Sequence, residues 1–318
     1  MPHISVAFSH WQSAAGNAAR RIASGRGPFL RLLERWMPRI VVAPSCAISL
    51  FFVYGFIAWT FYISFSNSGV LPDYSFAGLA QYERLWATPR WYVALKNLFI
   101  FSSLFILGCT GIGIVLAILL DQRIRIEGTI RTIYLYPMAL SFIVTGTAWK
   151  WILNPGLGIE HTVRGWGFES FSFGWLVDRD LAIYTVVIAG IWQSSGYVMA
   201  LFLAGLRSID DEVLKAAAID GAGPWRTYTG IVLPMLRPVF LSAFVVLTHL
   251  SIKSFDLVIA LTGGGPGYAT DMPAIFMYAF AFQRSELGVA AASAIMMLAT
   301  VLAVVVPYLY SELREGRR

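Results

Sequence analysis

Six apolar runs constrain this chain more than any other feature. They cover about 40–65, 94–120, 130–152, 181–206, 236–261 and 286–310, each near or above the roughly 20 residues a helix needs to cross a bilayer core. With 57% hydrophobic and only 13% charged residues, the composition lies far from that of a water-soluble domain. The expected fold is an all-α integral membrane protein of six transmembrane helices. Its membrane domain should cover about 38–310, with tails at 1–37 and 311–318.

Charge sorts by side. Basic residues gather before the first run (Arg20, Arg21, Arg26, Arg31, Arg35, then Arg39), after the second (Arg123, Arg125, Arg131), between the fourth and fifth (Arg207, Lys215, Arg226, Arg237) and at the end (Arg314, Arg317, Arg318). Between Asn154 and Asp180 the acids Glu160, Glu169, Asp178 and Asp180 outnumber Arg164 and Arg179, and between Thr262 and Ser285 only Asp271 and Arg284 occur. The positive-inside rule therefore puts both termini and the 207–238 loop in the cytoplasm. A net charge of +6 raises the question of nucleic acid, but the basic residues stand beside apolar segments and form no continuous patch. Membrane lipid is the partner that this distribution implies. No cleavable leader pattern opens the chain, and a surface helix over Phe29–Met37 is one of two readings of that stretch. Cys46 and Cys109 lie singly in apolar runs, and His3, His10, His161 and His249 have no metal-ligand spacing, so no metal site is expected.

One polar stretch interrupts the pattern, Ser208–Pro238. Ser208 with Asp211 has capping-box spacing, and Asp210, Asp211 and Glu212 suit the positive end of a helix. Lys215 and Ala216–Ala218 continue that helix with little bulk; Asp220 and Gly221 turn the chain, and Pro224 fits the first position of a second helix. This helix–turn–helix must face water or a protein. Lys215-Ala216-Ala217, Ile219-Asp220-Gly221-Ala222, Leu233-Pro234 and Pro238 resemble the "EAA" loop of permease subunits of binding-protein-dependent ABC importers. That resemblance implies a type I importer permease fold whose coupling helix, between helices four and five, enters a groove on a separate ATPase. Lys215, Ala216, Ala217, Asp220, Gly221, Ala222 and Pro234 would be the coupling residues. Lys215 stands where the motif often has an acid.

Further segments are similar to the carbohydrate-importing branch: Arg131–Leu135 with Pro137, Trp149–Trp151 with Asn154-Pro155, and Phe255–Leu257 leading to Leu261–Pro266. Trp192–Gly196 and Leu203–Arg207 look most like glucose or mannose permeases. By that likeness the chain forms half of a sugar pathway in a bacterial inner membrane. Its implied partners are a second, similar permease, two ATPase subunits that hold ATP and Mg, and a periplasmic sugar-binding protein. The chain itself would hold no cofactor and catalyse no covalent reaction.

Gly263–Gly265 before Pro266 should end the fifth helix at the outer surface. No GK[ST] follows, which argues against a nucleotide loop. Polar residues inside apolar runs call for a reason. Similarity to maltose-importer permeases, whose matching segments contact substrate, implies that Gln193, Ser195, Gly196 and Met199 in the fourth helix, and Ser251 and Ser254 in the fifth, line the sugar pathway; close helix packing is the other reading. Lys253 and Asp256, three apart, form a candidate intramembrane ion pair. The alternative function is an ion-coupled secondary transporter of a small polar solute, for which no clear inverted repeat or midplane carboxylate is seen.

Overall fold

The computed structural model describes residues 28–315 except Val70, Pro72 and Arg123. The readings made on residues 1–27, Arg123 and 316–318 lie outside that range. The chain divides into two compact units, Met1–Trp59 and Thr60–Arg318. Helix α1 (Pro28–Ile63), whose last four residues belong to the second unit, is continuous, so Phe29–Met37 opens this long helix and is not a separate surface helix.

In the second unit, α2 (Ala80–Ala87) stops at Thr88, and Pro89, which lacks an N–H to continue it, opens α3 (Pro89–Asp121). Farther on, α7 (Ala182–Arg207) is the most enclosed of the long helices. Gly108 and Gly113 let α3 approach it: a Cβ at either would meet Ile191 or Val198 of α7. Phe101, Phe105, Met199, Phe202 and Leu247 fill the buried core. The last helix is α13 (Leu287–Glu315).

Two expected spans are not continuous helices. The third is divided into α4 (Glu127–Leu135), a 3-10 turn over Tyr136–Ala139 and α5 (Phe142–Ile152). Pro137 sits in that turn, Leu140 is extended at ψ 146°, and Ser141 caps α5 by accepting from Val144 N–H. After α5, α6 (Ile159–Gly165) lies on the connection to α7. The fifth expected span ends early. It is α10 (Arg237–Ile252), then a break at Lys253–Phe255, then α11 (Asp256–Leu261). Among the described residues four helices are long and apolar enough to cross a membrane singly, and five if Pro224–Met235 and α10, bent by 63°, count as one span. Four to five of the six expected spans are thus found as helices of that length. Backbone breaks, which hydropathy does not register, divide two of the six.

One helix was not expected. The segment after the glycine run, expected to be an external loop, contains α12 (Pro273–Gln283), where Ile275, Phe276 and Phe280 are buried. Phe276 packs on Trp91 of α3 with ring centroids 5.1 Å apart.

Candidate functional site

The polar loop folds as a helical hairpin. Its first helix, α8 (Asp211–Ile219), is capped by Asp210, whose carboxylate accepts from Glu212 N–H at 2.9 Å. Ser208 is not the cap, because its hydroxyl turns back to donate to Gly205 O. At the other end Gly221, at φ 75°, reverses the chain. Ala222 N–H donates to Ala217 O and Gly221 N–H to Ala218 O, the paired bonds of a Schellman closure. Gly223 then leads to Pro224, the first residue of α9 (Pro224–Met235), which includes a wide π-type turn over Tyr228–Val232.

The hairpin displays an apolar tip. Ile219 is 86% and Trp225 81% exposed, and the half-exposed Leu214 stands near them in the chain. Lys215, Ala216, Asp220, Gly221 and Pro234 are exposed, Ala222 is half-buried, and Ala217 is buried against the chain's own interior. Behind the hairpin a cleft of about 270 Å³ is lined by residues that include Asp121, Leu206, Ala218, Ala222 and Tyr228.

The residues read as lining a pathway are differently placed. Gln193, Ser195, Gly196, Met199 and Ser251 are buried within this chain, and Ser254 is half-buried. Gln193 Nε2 donates to Leu140 O at 2.8 Å, pairing a carbonyl beside the break in the third apolar segment, and its Oε1 has no hydrogen-bond partner. A methyl group on Gly196 would overlap the Tyr134 carbonyl, so this glycine receives the same segment. Met199 is core, and Ser251 accepts from Ser102 of α3 at 2.9 Å. Ser254 donates to Ser251 O and contacts Met272 Sδ. Close packing within the chain thus accounts for Gly196, Met199 and Ser251. The Lys253–Asp256 pair is a correction. Lys253 caps the end of α10 and Asp256 opens α11, so no continuous helix aligns them, and among the described residues no ion pair joins them.

The glycine run ends α11 as expected, with Gly263 at φ 66° and Gly264 at φ 87°. The loop it opens is tied together by Thr270, whose hydroxyl lies 2.6 Å from that of Thr262 and donates to Gly265 O. It is also held by Arg90 and Asp271, a buried pair that sequence reasoning missed because its members are far apart in the chain. Burial pushes the Asp271 carboxyl above its ordinary value, against the opposing pull of Arg90.

A sequence model of the family described as "binding-protein-dependent transport system inner membrane component" matches residues 109–315, a stretch that contains the hairpin, both broken segments and the glycine loop. The chain belongs to this family. A family relative, the probable ABC transporter permease protein PH1215 of Pyrococcus horikoshii, is 43% identical over 278 residues, covering 86% of this chain and 95% of that one. The xylose/arabinose import permease protein XacH of Haloferax volcanii is 39% identical over 268 residues, 83% of this chain and 84% of that protein. The fold is that of a bacterial alginate-importing ABC transporter, with a TM-score of 0.78 at 20% identity, covering 91% of this chain and 99% of that one. This is the type I importer permease fold, and the family member is a multi-pass membrane protein.

Proposed function

We propose that this chain forms half of the translocation pathway of an ATP-driven sugar importer in the cytoplasmic membrane, with both termini and the α8–α9 hairpin on the cytoplasmic side. The hairpin docks on a separate ATPase subunit, which holds ATP and Mg. A second, similar permease completes the pathway, and an external sugar-binding protein delivers the solute. The observation that carries this reading is the exposed pair Ile219 and Trp225 on a hairpin closed by Gly221. Large apolar side chains held on a rigid turn outside the spanning helices suit a protein groove.

The solute proposed is a monosaccharide. XacH is named for two pentoses, whereas Trp192–Gly196 and Leu203–Arg207 look like glucose or mannose permeases, and glucose or mannose is the substrate we favour. Ser254, half-buried at the α10–α11 break, and the unpaired Gln193 Oε1 are the polar groups best placed to meet it. Ser195 remains in the proposed lining, whereas Gly196, Met199 and Ser251 act through packing.

Purification of the tagged chain from its own cells should bring down an ATPase and a second permease. Reconstituted vesicles with the hairpin facing the lumen and the sugar-binding protein outside should then take up labelled glucose or mannose only with ATP inside, with xylose and arabinose as competitors. Uptake by the isolated chain without ATP, driven by an ion gradient, would instead support a secondary transporter.

A further inference from the structure

Arg207 ends α7, and the docking hairpin departs from it. Its Nη2 donates to Glu127 Oε1 at 2.7 Å, and its Nε lies 3.8 Å from Asp121 Oδ1. Asp121 is the last residue of α3 and Glu127 the first of α4, so one guanidinium faces three helix ends. The signs of two are favourable, an acid at the start of α4 and a cation at the end of α7. Asp121, an acid at a helix C-terminus, is not, and the guanidinium offsets that.

All three side chains remain partly exposed, so the cluster adds little to stability. What it sets is attachment. The interrupted segment from Glu127 to Ile152 is held on α7 at three heights: at Leu140 by Gln193, at Tyr134 by the notch of Gly196, and at Glu127 by Arg207. The last lies at the root of the hairpin. A displacement of α8 therefore reaches α4 through one side chain as well as through the backbone of α7.

We propose that Arg207 is a positioning residue that ties the root of the docking hairpin to the interrupted segment, so that α4 and α7 move together when the ATPase moves α8. The proposal rests on the docking role of the hairpin given above.

The test uses the whole importer in vesicles, reading sugar transported per ATP hydrolysed. Arg207→Leu should lower this ratio by at least about fivefold, the lower end of ordinary coupling between sites, with the amount of assembled complex and the KM for sugar unchanged. Glu127→Leu should do the same, and the double variant should lose no more than Arg207→Leu alone, since that substitution already removes the contact with Glu127. Glu127→Gln, which keeps an acceptor oxygen, should retain most of the ratio. Additive losses, or an unchanged ratio in Arg207→Leu beside a lost one in Gly221→Val, would overturn the proposal and leave docking intact. An unchanged ratio in both would sink the docking reading itself. Where Arg207→Leu fails to assemble, the Glu127→Gln and Glu127→Leu pair decides alone: equal ratios overturn the tie, unequal ones support it.

Discussion

Arg90 and Asp271, 181 residues apart in the chain, meet in a two-pronged ion pair, Nε to Oδ2 at 2.6 Å and Nη2 to Oδ1 at 3.1 Å. The guanidinium carbon also lies 4.2 Å from the Tyr268 ring centroid, and Asn97 Nδ2 donates to the carbonyls of Ala269 and Asp271. The start of α3 thus holds the loop that follows the glycine run. Removing one partner strands the other: Asp271→Ala should cost about 3–5 kcal/mol. Replacing both with leucine should cost less than that, because no buried charge remains. Thermal unfolding of the purified complex checks both outcomes.

The same pair makes a pH prediction. The Asp271 carboxyl is raised from its ordinary 3.8, burial outweighing Arg90. A folded value above the unfolded one means that the folded form binds the proton more tightly. The contribution is fully present below 3.8 and is lost as pH rises through the raised folded value. Wild-type stability measured upward from about pH 4 should carry this falling component, and Asp271→Asn should lack it.

Gly221 is required for its backbone and not for space, since nothing lies within 4 Å of where a Cβ would stand. At φ 75° a β-branched side chain is strained, by about 1–3 kcal/mol. Gly221→Val should open the Schellman closure and abolish ATP-dependent transport with membrane insertion intact. Gly221→Asn, which tolerates the left-handed region, should keep most of it. Transport assays alongside quantified membrane levels separate these results.

Gln193 pairs the Leu140 carbonyl where the third segment breaks, so Gln193→Met leaves a buried acceptor unsatisfied. The expected loss of stability is about 1–3 kcal/mol. Loss of Oε1, the atom proposed to meet the sugar, should also raise KM for sugar. A KM that holds while the maximal rate falls would confine Gln193 to pinning the break.

The hairpin was legible in the sequence because its determinants are local. Asp210, Gly221 and Pro224 each act on backbone within a few residues, and the Schellman bonds of Ala222 and Gly221 span one helical turn. The breaks in the third and fifth segments were not. Pro137 and Leu140 sit among apolar residues, and the amide that pairs the exposed carbonyl comes from Gln193, 53 positions away. Likewise α12 is too short for a span and is apolar because Trp91 covers it, a tertiary fact. The two readings of the polar residues in the fourth and fifth segments, pathway lining and close packing, could not be told apart in the sequence for the same reason. A glycine that admits a neighbour's carbonyl, as Gly196 admits Tyr134, has the same sequence signature as one that lines a channel.

Ile219 and Trp225 make the sharpest separation of fold from function. At 86% and 81% exposure they contribute little packing to this chain, so Ile219→Ser and Trp225→Ser should each change its own stability by no more than about 0.5 kcal/mol. A buried anchor at a protein interface is worth about 2 kcal/mol or more when truncated. Each variant should therefore weaken ATPase binding by about thirtyfold, since 1.4 kcal/mol is a factor of ten. Titration of purified ATPase against the detergent-solubilised permease pair measures that loss directly. Affinity unchanged in both variants would mean that the apolar tip faces lipid or water in the assembled importer, and that the hairpin engages its partner through some other surface.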